Sequence, residues 1–125
     1  MKTHDLLLAL LACASAEITQ LDKETFDAAI GAQPVLVLYT APGCEDCQAF
    51  APVYEKIADA HTGSAADGAP LIAAVDCEAH TDVCRSQEVE ALPSLAAYRD
   101  GFVEATWLAR AFFFHVRIGR LHHEE

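Results

Sequence analysis

Basic residues are scarce in this 125-residue sequence, which has eight Lys and Arg residues against nineteen Asp and Glu residues. The formal net charge is therefore −11 at pH 7. Nucleic acids and anionic membranes would repel such a chain, so we expect neither as a partner. Long apolar runs are lacking as well, because no stretch reaches the roughly 20 residues of a transmembrane helix. The chain has no internal repeat, which favours one small domain with a single core.

The first sixteen residues have the three parts of a secretory signal peptide. Lys2 supplies a positive charge, an apolar run follows, and a small-x-small pattern ends at Ala16. We therefore predict a signal peptide at 1–16 and a mature domain at 17–125, located in the endoplasmic reticulum lumen or secreted. A short buried helix at 1–16 is the alternative interpretation.

Signal cleavage would remove Cys13 and leave an even number of cysteines: Cys44, Cys47, Cys77 and Cys84. In an oxidising compartment an even number favours disulfides. Zinc coordination is the alternative, but structural zinc sites usually combine two short Cys-x-x-Cys pairs, and the second pair here is more widely spaced. We predict no metal and no cofactor, since redox equivalents would reside on the cysteine sulfurs.

Apolar and β-branched runs predict the strands of a central sheet. The predicted strands are 17–21, 34–40, 71–76, 94–98 and 102–107. A loop rich in Gly and Ala occupies 61–70, and 99–101 forms a tight turn. Strands and helices alternate in the first half and a hairpin follows. This order predicts an α/β fold, with a mixed β-sheet flanked by helices.

Three segments have the apolar spacing of helices. Asp22 is predicted to cap the first helix, which ends at Gly31. The second helix begins at the Cys-x-x-Cys pair and contains Pro52 as the cause of a kink. The third helix is 81–87. A fourth helix packed on the sheet is predicted from apolar residues near the C-terminus: Phe112, Phe113, Val116 and Leu121.

Several segments, in this order, resemble a thioredoxin-fold domain of the protein disulfide isomerase family. The segment VLVLYTAPGCEDC resembles the family's strand and active-site turn, LIAAVDC its next strand, ALPSL its cis-proline loop and YRDG its hairpin. Pro52 stands where the family's active-site helix kinks. The resemblance covers nearly the whole mature chain. It implies the thioredoxin fold and disulfide exchange with cysteine-containing unfolded or misfolded client proteins, and we expect the chain to be a monomer.

The positions of the first two cysteines suit disulfide exchange. A thiolate at a helix N-terminus is stabilised by unpaired backbone N–H groups and by the helix dipole. Cys44 has that position and is the predicted nucleophile, whereas Cys47, one turn further on, is the predicted resolving thiol. By the resemblance, the Leu92–Pro93 bond is cis and presents the Leu92 backbone to an extended client peptide. An ordinary trans turn at Pro93 is the alternative.

The surroundings of these cysteines depart from the family pattern. The family usually has Trp before the first cysteine and Gly-His between the two, where this chain has Gly43 and Glu45–Asp46. Two carboxylates in place of a histidine disfavour the Cys44 thiolate, so we expect a weaker oxidant. Leu38 stands where active members commonly bury a carboxylate that accepts the proton of the second cysteine. We therefore expect slow turnover.

The second cysteine pair requires a reversal of the chain. On one continuous helix, positions seven apart are separated by about 10 Å, beyond the roughly 7 Å that a disulfide allows between Cα atoms. The segment 78–81 can break the helix and bring Cys84 back to Cys77. A similar pair is structural in several disulfide isomerase domains, and the resemblance implies that role here. Two free buried thiols are the alternative.

Three functions remain open on the sequence alone. The first is a thiol–disulfide oxidoreductase with slow turnover, and the second is a client-binding domain that exchanges disulfides poorly. The third is a structural domain with two permanent disulfides. An exposed Phe112–Phe114 cluster could also bind client peptides, as an alternative to packing on the sheet.

Overall fold

A computed structural model describes residues 17–61 and 68–108. The predicted signal peptide, part of the predicted 61–70 loop and the predicted C-terminal helix lie outside these residues. The described residues form five strands: β1 (Thr19–Gln20), β2 (Val35–Thr40), β3 (Leu71–Asp76), β4 (Ser94–Arg99) and β5 (Phe102–Leu108). The helices within the same two ranges are three: α1 (Phe26–Ala32), α2 (Glu45–Ala60) and α3 (Thr81–Ser86). The sheet has the order β1-β3-β2-β4-β5.

The predicted α/β fold with a mixed sheet is confirmed. β2 lies at the centre, parallel to β3 and antiparallel to β4. Alternate residues of a strand point to opposite faces, so the unbroken apolar sequence of β2 suits a strand covered on both sides. Val37 packs in one apolar cluster with Phe26 of α1, and Leu38 packs in the other with Phe50 of α2.

Helix α2 is joined to the sheet by a tyrosine hydroxyl as well as by apolar packing. Tyr54 is fully buried, and its hydroxyl lies 2.6 Å from the carbonyl oxygen of Ala73 and 3.0 Å from that of Leu36. Burial raises the pKa of Tyr54 well above its ordinary value. The hydroxyl therefore stays protonated and anchors the helix across β2 and β3. No helix among the described residues is long and apolar enough to cross a membrane.

The prediction that Asp22 caps the first helix is wrong. The N-cap of α1 is Thr25, and the Asp22 carboxylate instead accepts hydrogen bonds from the N–H groups of Glu24 and Thr25, at 2.9 and 3.0 Å. These bonds close a turn before the helix, which is a common alternative use of an aspartate side chain. The hydrogen bond from the Thr25 hydroxyl lowers the pKa of Asp22. The helix also continues past Gly31 to Ala32.

One edge of the sheet gathers the segments that matter for function. The parallel strands β2 and β3 end there, with Thr40 paired to Asp76. The antiparallel strand β4 begins there, with Ser94 opposite Tyr39. The chain segments that carry the predicted site residues therefore leave or enter the sheet at this same edge.

Candidate active site

Cys44 lies directly before helix α2 and serves as its N-cap. Its sulfur accepts a hydrogen bond from the backbone N–H of Cys47 at 3.1 Å, and the two residues form a disulfide with Cα atoms 5.1 Å apart. Cys44 is partly exposed, whereas Cys47 is only 3% exposed. An incoming thiol can therefore reach the sulfur of Cys44 more easily than that of Cys47.

The turn that presents Cys44 is held by local hydrogen bonds. The N–H of Cys44 donates to the carbonyl of Ala41 at 3.2 Å. The side-chain amide of Gln48 donates to the carbonyl of Pro42 at 3.0 Å, which joins the first turn of α2 back to the loop. Gly43 is exposed with no atom near the position of a Cβ, so a larger residue there would be tolerated sterically.

Glu45 and Asp46 occupy the first turn of α2 and are both exposed. Carboxylates at this end of a helix interact favourably with its dipole. Within residues 17–61 and 68–108, neither carboxylate takes part in an ion pair. Their negative charge is therefore not neutralised by a neighbouring cation, and it opposes formation of a thiolate at the adjacent Cys44.

Leu38 lies in the apolar cluster between the sheet and α2. It is 5% exposed and belongs to the same cluster as Phe50, which is one turn beyond Cys47 on the helix. Apart from tyrosine hydroxyls, no polar or charged side chain is buried in the described part of the chain. The described core therefore holds no carboxylate that could take the proton of the Cys47 thiol.

The peptide bond between Leu92 and Pro93 is cis. Pro93 is buried and Leu92 is partly buried, packed against the apolar cluster on the α1 and α3 face of the sheet. The hydroxyl of Ser94 donates to the carbonyl of Ala91, which bridges the two ends of the cis-proline turn. Because Ser94 pairs with Tyr39, this turn lies beside the end of β2 from which the chain continues to Cys44.

Cys77 and Cys84 form a second disulfide, with Cα atoms 5.6 Å apart. The chain reverses directly after β3, where the Asp76 carboxylate accepts hydrogen bonds from the N–H groups of Glu78 and Ala79. Helix α3 then starts at Thr81 and returns Cys84 to Cys77. Within residues 17–61 and 68–108, no three His, Cys, Asp or Glu side chains are grouped so that they could hold a metal ion.

Sequence reasoning did not identify a chain of buried hydroxyls on the other face of the sheet. The hydroxyls of Tyr39 and Tyr98 lie 2.5 Å apart, and Tyr98 donates to the side-chain carbonyl of Gln87 at 2.9 Å. Tyr39 therefore donates to Tyr98. Burial raises the pKa of both tyrosines. A tyrosine inside an otherwise apolar strand is the signal that could have predicted a buried partner.

Comparisons with known proteins agree with this geometry. A model of the thioredoxin family matches residues 17–109. The chain is 37% identical over 108 residues to a putative protein disulfide-isomerase of Schizosaccharomyces pombe, covering 81% of this chain and 21% of that protein. It is 40% identical over 94 residues to a protein disulfide-isomerase of Aspergillus niger, covering 73% and 18%. The chain thus spans about a fifth of the length of these curated relatives.

Solved structures show a similar fold at low sequence identity. A thioredoxin of Malassezia sympodialis superposes with a TM-score of 0.65 at 21% identity, covering 74% of this chain and 79% of that one. A thioredoxin of Plasmodium falciparum gives a TM-score of 0.66 at 22% identity, covering 73% and 85%. At this identity the likeness concerns the fold of the chain alone.

Proposed function

This chain belongs to the thioredoxin family, as a domain of the protein disulfide isomerase type, and from that premise we propose that it exchanges disulfides with protein cysteines. The observation that carries the proposal is the Cys44–Cys47 disulfide at the N-terminus of α2, with the more accessible sulfur outermost. The cis Leu92–Pro93 turn at the same sheet edge supports it, because its backbone could pair with an extended client peptide.

The proposed reaction needs only the two cysteines and a client disulfide. In the reduced domain the Cys44 thiolate attacks one client sulfur, and the other client sulfur leaves as a thiolate. The Cys47 thiolate then attacks Cys44 in the mixed disulfide, which closes the Cys44–Cys47 bond and releases the second client thiolate. The client gains two electrons and the domain loses two. The reverse sequence oxidises a client dithiol.

We expect this exchange to be slow and the disulfide to be a weak oxidant. Glu45 and Asp46 oppose the Cys44 thiolate, which favours the neutral disulfide over the reduced pair. Leu38 provides no proton acceptor for Cys47, so the buried thiol ionises with difficulty and the mixed disulfide resolves slowly. Both features slow turnover without removing the nucleophile.

Insulin reduction in a glutathione buffer tests the proposal. Wild-type protein should accelerate the reduction, and Cys44→Ala should abolish the acceleration. Cys47→Ser should accumulate mixed disulfides with the client that gel electrophoresis without reductant detects. An absence of both acceleration and mixed disulfides would overturn the proposal and leave a structural domain with two permanent disulfides.

A client-binding domain with little turnover is a second candidate. It is favoured by one observation, the lack of any buried carboxylate in the described core. This candidate predicts mixed disulfides in Cys47→Ser but no measurable acceleration by wild-type protein. The two functions are therefore distinguished by the same pair of measurements.

The proposed clients are unfolded or misfolded cysteine-containing proteins of the secretory pathway. The domain would act on them as a monomer, in the endoplasmic reticulum lumen or outside the cell. Two disulfides in a small acidic domain and the pattern at 1–16 support that location. Expression in a secretory host followed by N-terminal sequencing tests it. A mature chain beginning at Glu17 is expected, whereas an intact N-terminus would contradict the proposed signal peptide.

A further inference from the structure

A cavity of about 460 Å³ lies between the end of α3 and the β4–β5 hairpin. The segment 86–91 forms one side of the cavity, and residues of β4 and β5 line the other. The volume falls within the roughly 300–1,000 Å³ that is typical of pockets for small molecules. None of its described lining residues belongs to the turn 41–47, so the cavity is separate from the disulfide that is proposed to exchange.

Two buried phenols, Tyr39 and Tyr98, form the floor of the cavity. Tyr39 donates a hydrogen bond to Tyr98, and Tyr98 donates to the side-chain carbonyl of Gln87. Burial raises the pKa of both phenols, so both keep their protons at neutral pH. A phenol has one proton and two lone pairs. Since both protons are already donated, a ligand group that meets these oxygens must itself be a hydrogen-bond donor.

The rim of the cavity carries negative charge. Glu88 and Glu90 line it and are both exposed. Within residues 17–61 and 68–108 neither carboxylate takes part in an ion pair, and no Lys, Arg or His is among the described lining residues. The net charge of −11 on the whole chain adds to the attraction for a positive group. The rim therefore favours a cationic ligand.

Apolar side chains form much of the remaining wall. They include Val89 after α3, together with Val103, Trp107 and Leu108 of β5. Val103 and Leu108 are 55% and 51% exposed, so a ligand bound there would remove apolar surface from water. The body of the ligand should therefore be apolar.

The wall formed by 86–91 is held in place without a ligand. The N–H of Val89 donates to the carbonyl of Cys84 at 3.0 Å, and the N–H of Glu88 donates to that of Arg85 at 3.1 Å. These two bonds form the Schellman motif that ends α3. The wall is therefore ordered before a ligand arrives, which lowers the entropic cost of binding.

We propose that this cavity binds a small organic cation with an ammonium group at one end, an apolar body, and a hydrogen-bond donor at the other end. The ammonium group pairs with Glu88 and Glu90, the body packs against Val103 and Leu108, and the donor reaches the phenol oxygens on the floor. The assignment does not depend on disulfide exchange, because no part of the active-site turn lines the cavity.

Tyramine has all three features and is the first probe. Tyrosol replaces its ammonium group with a neutral hydroxyl, phenethylamine lacks its phenol hydroxyl, and hydroxyphenylpropionate carries a carboxylate in place of the ammonium group. Each probe is titrated at neutral pH into the isotope-labelled, oxidised full chain and followed by NMR. The backbone amide signals locate the site, and the indole N–H signal of Trp107, the only tryptophan in the chain, reports on the cavity wall.

Tyramine should shift the signals of 86–91, 103–108 and the Trp107 indole, with a Kd on the order of 1 mM. Tyrosol should bind about tenfold more weakly, as expected for the loss of two partly exposed ion pairs. Phenethylamine should bind about fivefold more weakly, because it lacks one hydrogen bond. Hydroxyphenylpropionate should give no shifts at this site.

Two pairs of variants provide matched controls. Glu88→Gln with Glu90→Gln should bring the ratio of tyramine to tyrosol affinity towards one, whereas Glu55→Gln with Glu78→Gln changes the net charge equally away from the cavity and should keep the ratio.

Thr106→Phe fills the cavity and should abolish the tyramine shifts, whereas Ala49→Phe adds the same ring at an exposed position on α2 and should keep them. The glutamine variants test the proposal even if Thr106→Phe does not fold.

The outcomes decide the proposal in either direction. Equal affinities for tyramine and tyrosol, a ratio that survives loss of both rim carboxylates, or shifts clustered away from the cavity would overturn it. No binding of tyramine at concentrations well above 1 mM would overturn it as well. A ratio that falls in the Glu88 and Glu90 variant but not in the Glu55 and Glu78 variant, with shifts at the cavity, would support it.

Discussion

The N–H of Cys77 donates a hydrogen bond of 2.8 Å to the carbonyl oxygen of Thr40. The bond connects the second disulfide to the end of β2, four residues before Cys44. Both disulfides are thereby attached to one strand end, although Cys47 lies on α2 and Cys84 on α3. A substitution at Cys77 can therefore shift the Cys44–Cys47 pair through this backbone hydrogen bond, as well as by lowering the stability of the domain.

The Cys77–Cys84 disulfide should contribute measurably to stability. For the short loop that it closes, the chain-entropy estimate gives about 2.5 kcal/mol. Cys77→Ala with Cys84→Ala should lower the free energy of unfolding by that amount in urea denaturation. Cys44→Ala with Cys47→Ala removes a disulfide that closes a smaller loop, so the free energy of unfolding should fall by less. An unchanged midpoint in the first double variant would contradict a structural role.

The second disulfide should be reduced later than the Cys44–Cys47 disulfide. Each pair has one buried and one partly exposed cysteine, but Cys44 alone lies at the N-terminus of a long helix, where its thiolate is stabilised as a leaving group. In graded dithiothreitol, thiol counting by mass should show two free thiols before four. Simultaneous reduction of both disulfides would contradict the assignment of Cys44–Cys47 as the exchanging pair.

The strands could be predicted closely from the sequence because their pattern depends on burial. β2 and β3 begin and end within one residue of the predicted 34–40 and 71–76, since an apolar run of that length must be covered on both faces. The start of α1 could not be predicted in this way. Asp22 can cap a helix or close a turn with similar local bonds, and tertiary packing decides between the two.

The proposed site residues could be named from the sequence, whereas the groups around them could not. The spacing of Cys44 and Cys47 and the resemblance around Pro93 indicate the chemistry without any coordinates. The cavity between α3 and the β4–β5 hairpin forms only when the fold brings 86–91 next to 103–108. Tyr39 and Tyr98 are likewise 59 positions apart, so no local sequence pattern could predict their hydrogen bond.

Asp46→His should make the Cys44–Cys47 disulfide more oxidising. The change removes one carboxylate from the first turn of α2 and adds a group that can carry positive charge beside the Cys44 thiolate. We expect the reduction potential to rise by on the order of 30 mV, measured against glutathione. Asp46→Asn removes the carboxylate alone and should give a smaller rise. Equal potentials in all three proteins would show that the acidic pair does not tune the site.

Leu38→Glu should speed the release of mixed disulfides while weakening the fold. The new carboxylate would lie in the cluster that also contains Phe50, one turn beyond Cys47, and could accept the Cys47 proton. Release should become at least about tenfold faster in stopped-flow measurements. The cost in unfolding free energy should be on the order of 3 kcal/mol.

Leu38→Gln is the control for that variant, because it has nearly the same shape and polarity but no basic carboxylate. It should destabilise the protein without accelerating release. Equal acceleration in both variants would attribute the effect to loosened packing rather than to proton transfer.

Glu88→Gly should stabilise the domain. Glu88 has φ 57°, in the left-handed region, at the position of the Schellman motif where glycine is preferred. Relief of this strain, less the greater freedom of glycine in the unfolded chain, should add about 0.5–1 kcal/mol in urea denaturation. Glu90→Gly, at a residue without positive φ, should instead destabilise. A loss of stability in Glu88→Gly would mean that its side chain makes a contact worth more than the strain.

The buried tyrosines should make the fold unstable at alkaline pH. Tyr39, Tyr54 and Tyr98 are all buried, and burial raises the pKa of each. Above about pH 10 the unfolded chain loses the phenolic protons while the folded chain keeps them. The contribution of the buried phenols to the free energy of unfolding is therefore complete below that pH and declines as the pH rises. Each tyrosine should lower the unfolding free energy by about 1.4 kcal/mol per pH unit in that range.

Tyr39→Phe isolates one of these contributions. The variant loses the hydrogen bond to Tyr98, which still donates to Gln87, so it should be about 1 kcal/mol less stable at neutral pH. Its stability should then fall less steeply than that of wild type between about pH 10 and pH 11 in urea denaturation, because one fewer phenol ionises on unfolding. Tyr54→Phe should reduce the slope by the same amount on the other face of the sheet. Parallel pH profiles for all three proteins would mean that the alkaline loss of stability comes from groups other than the buried phenols.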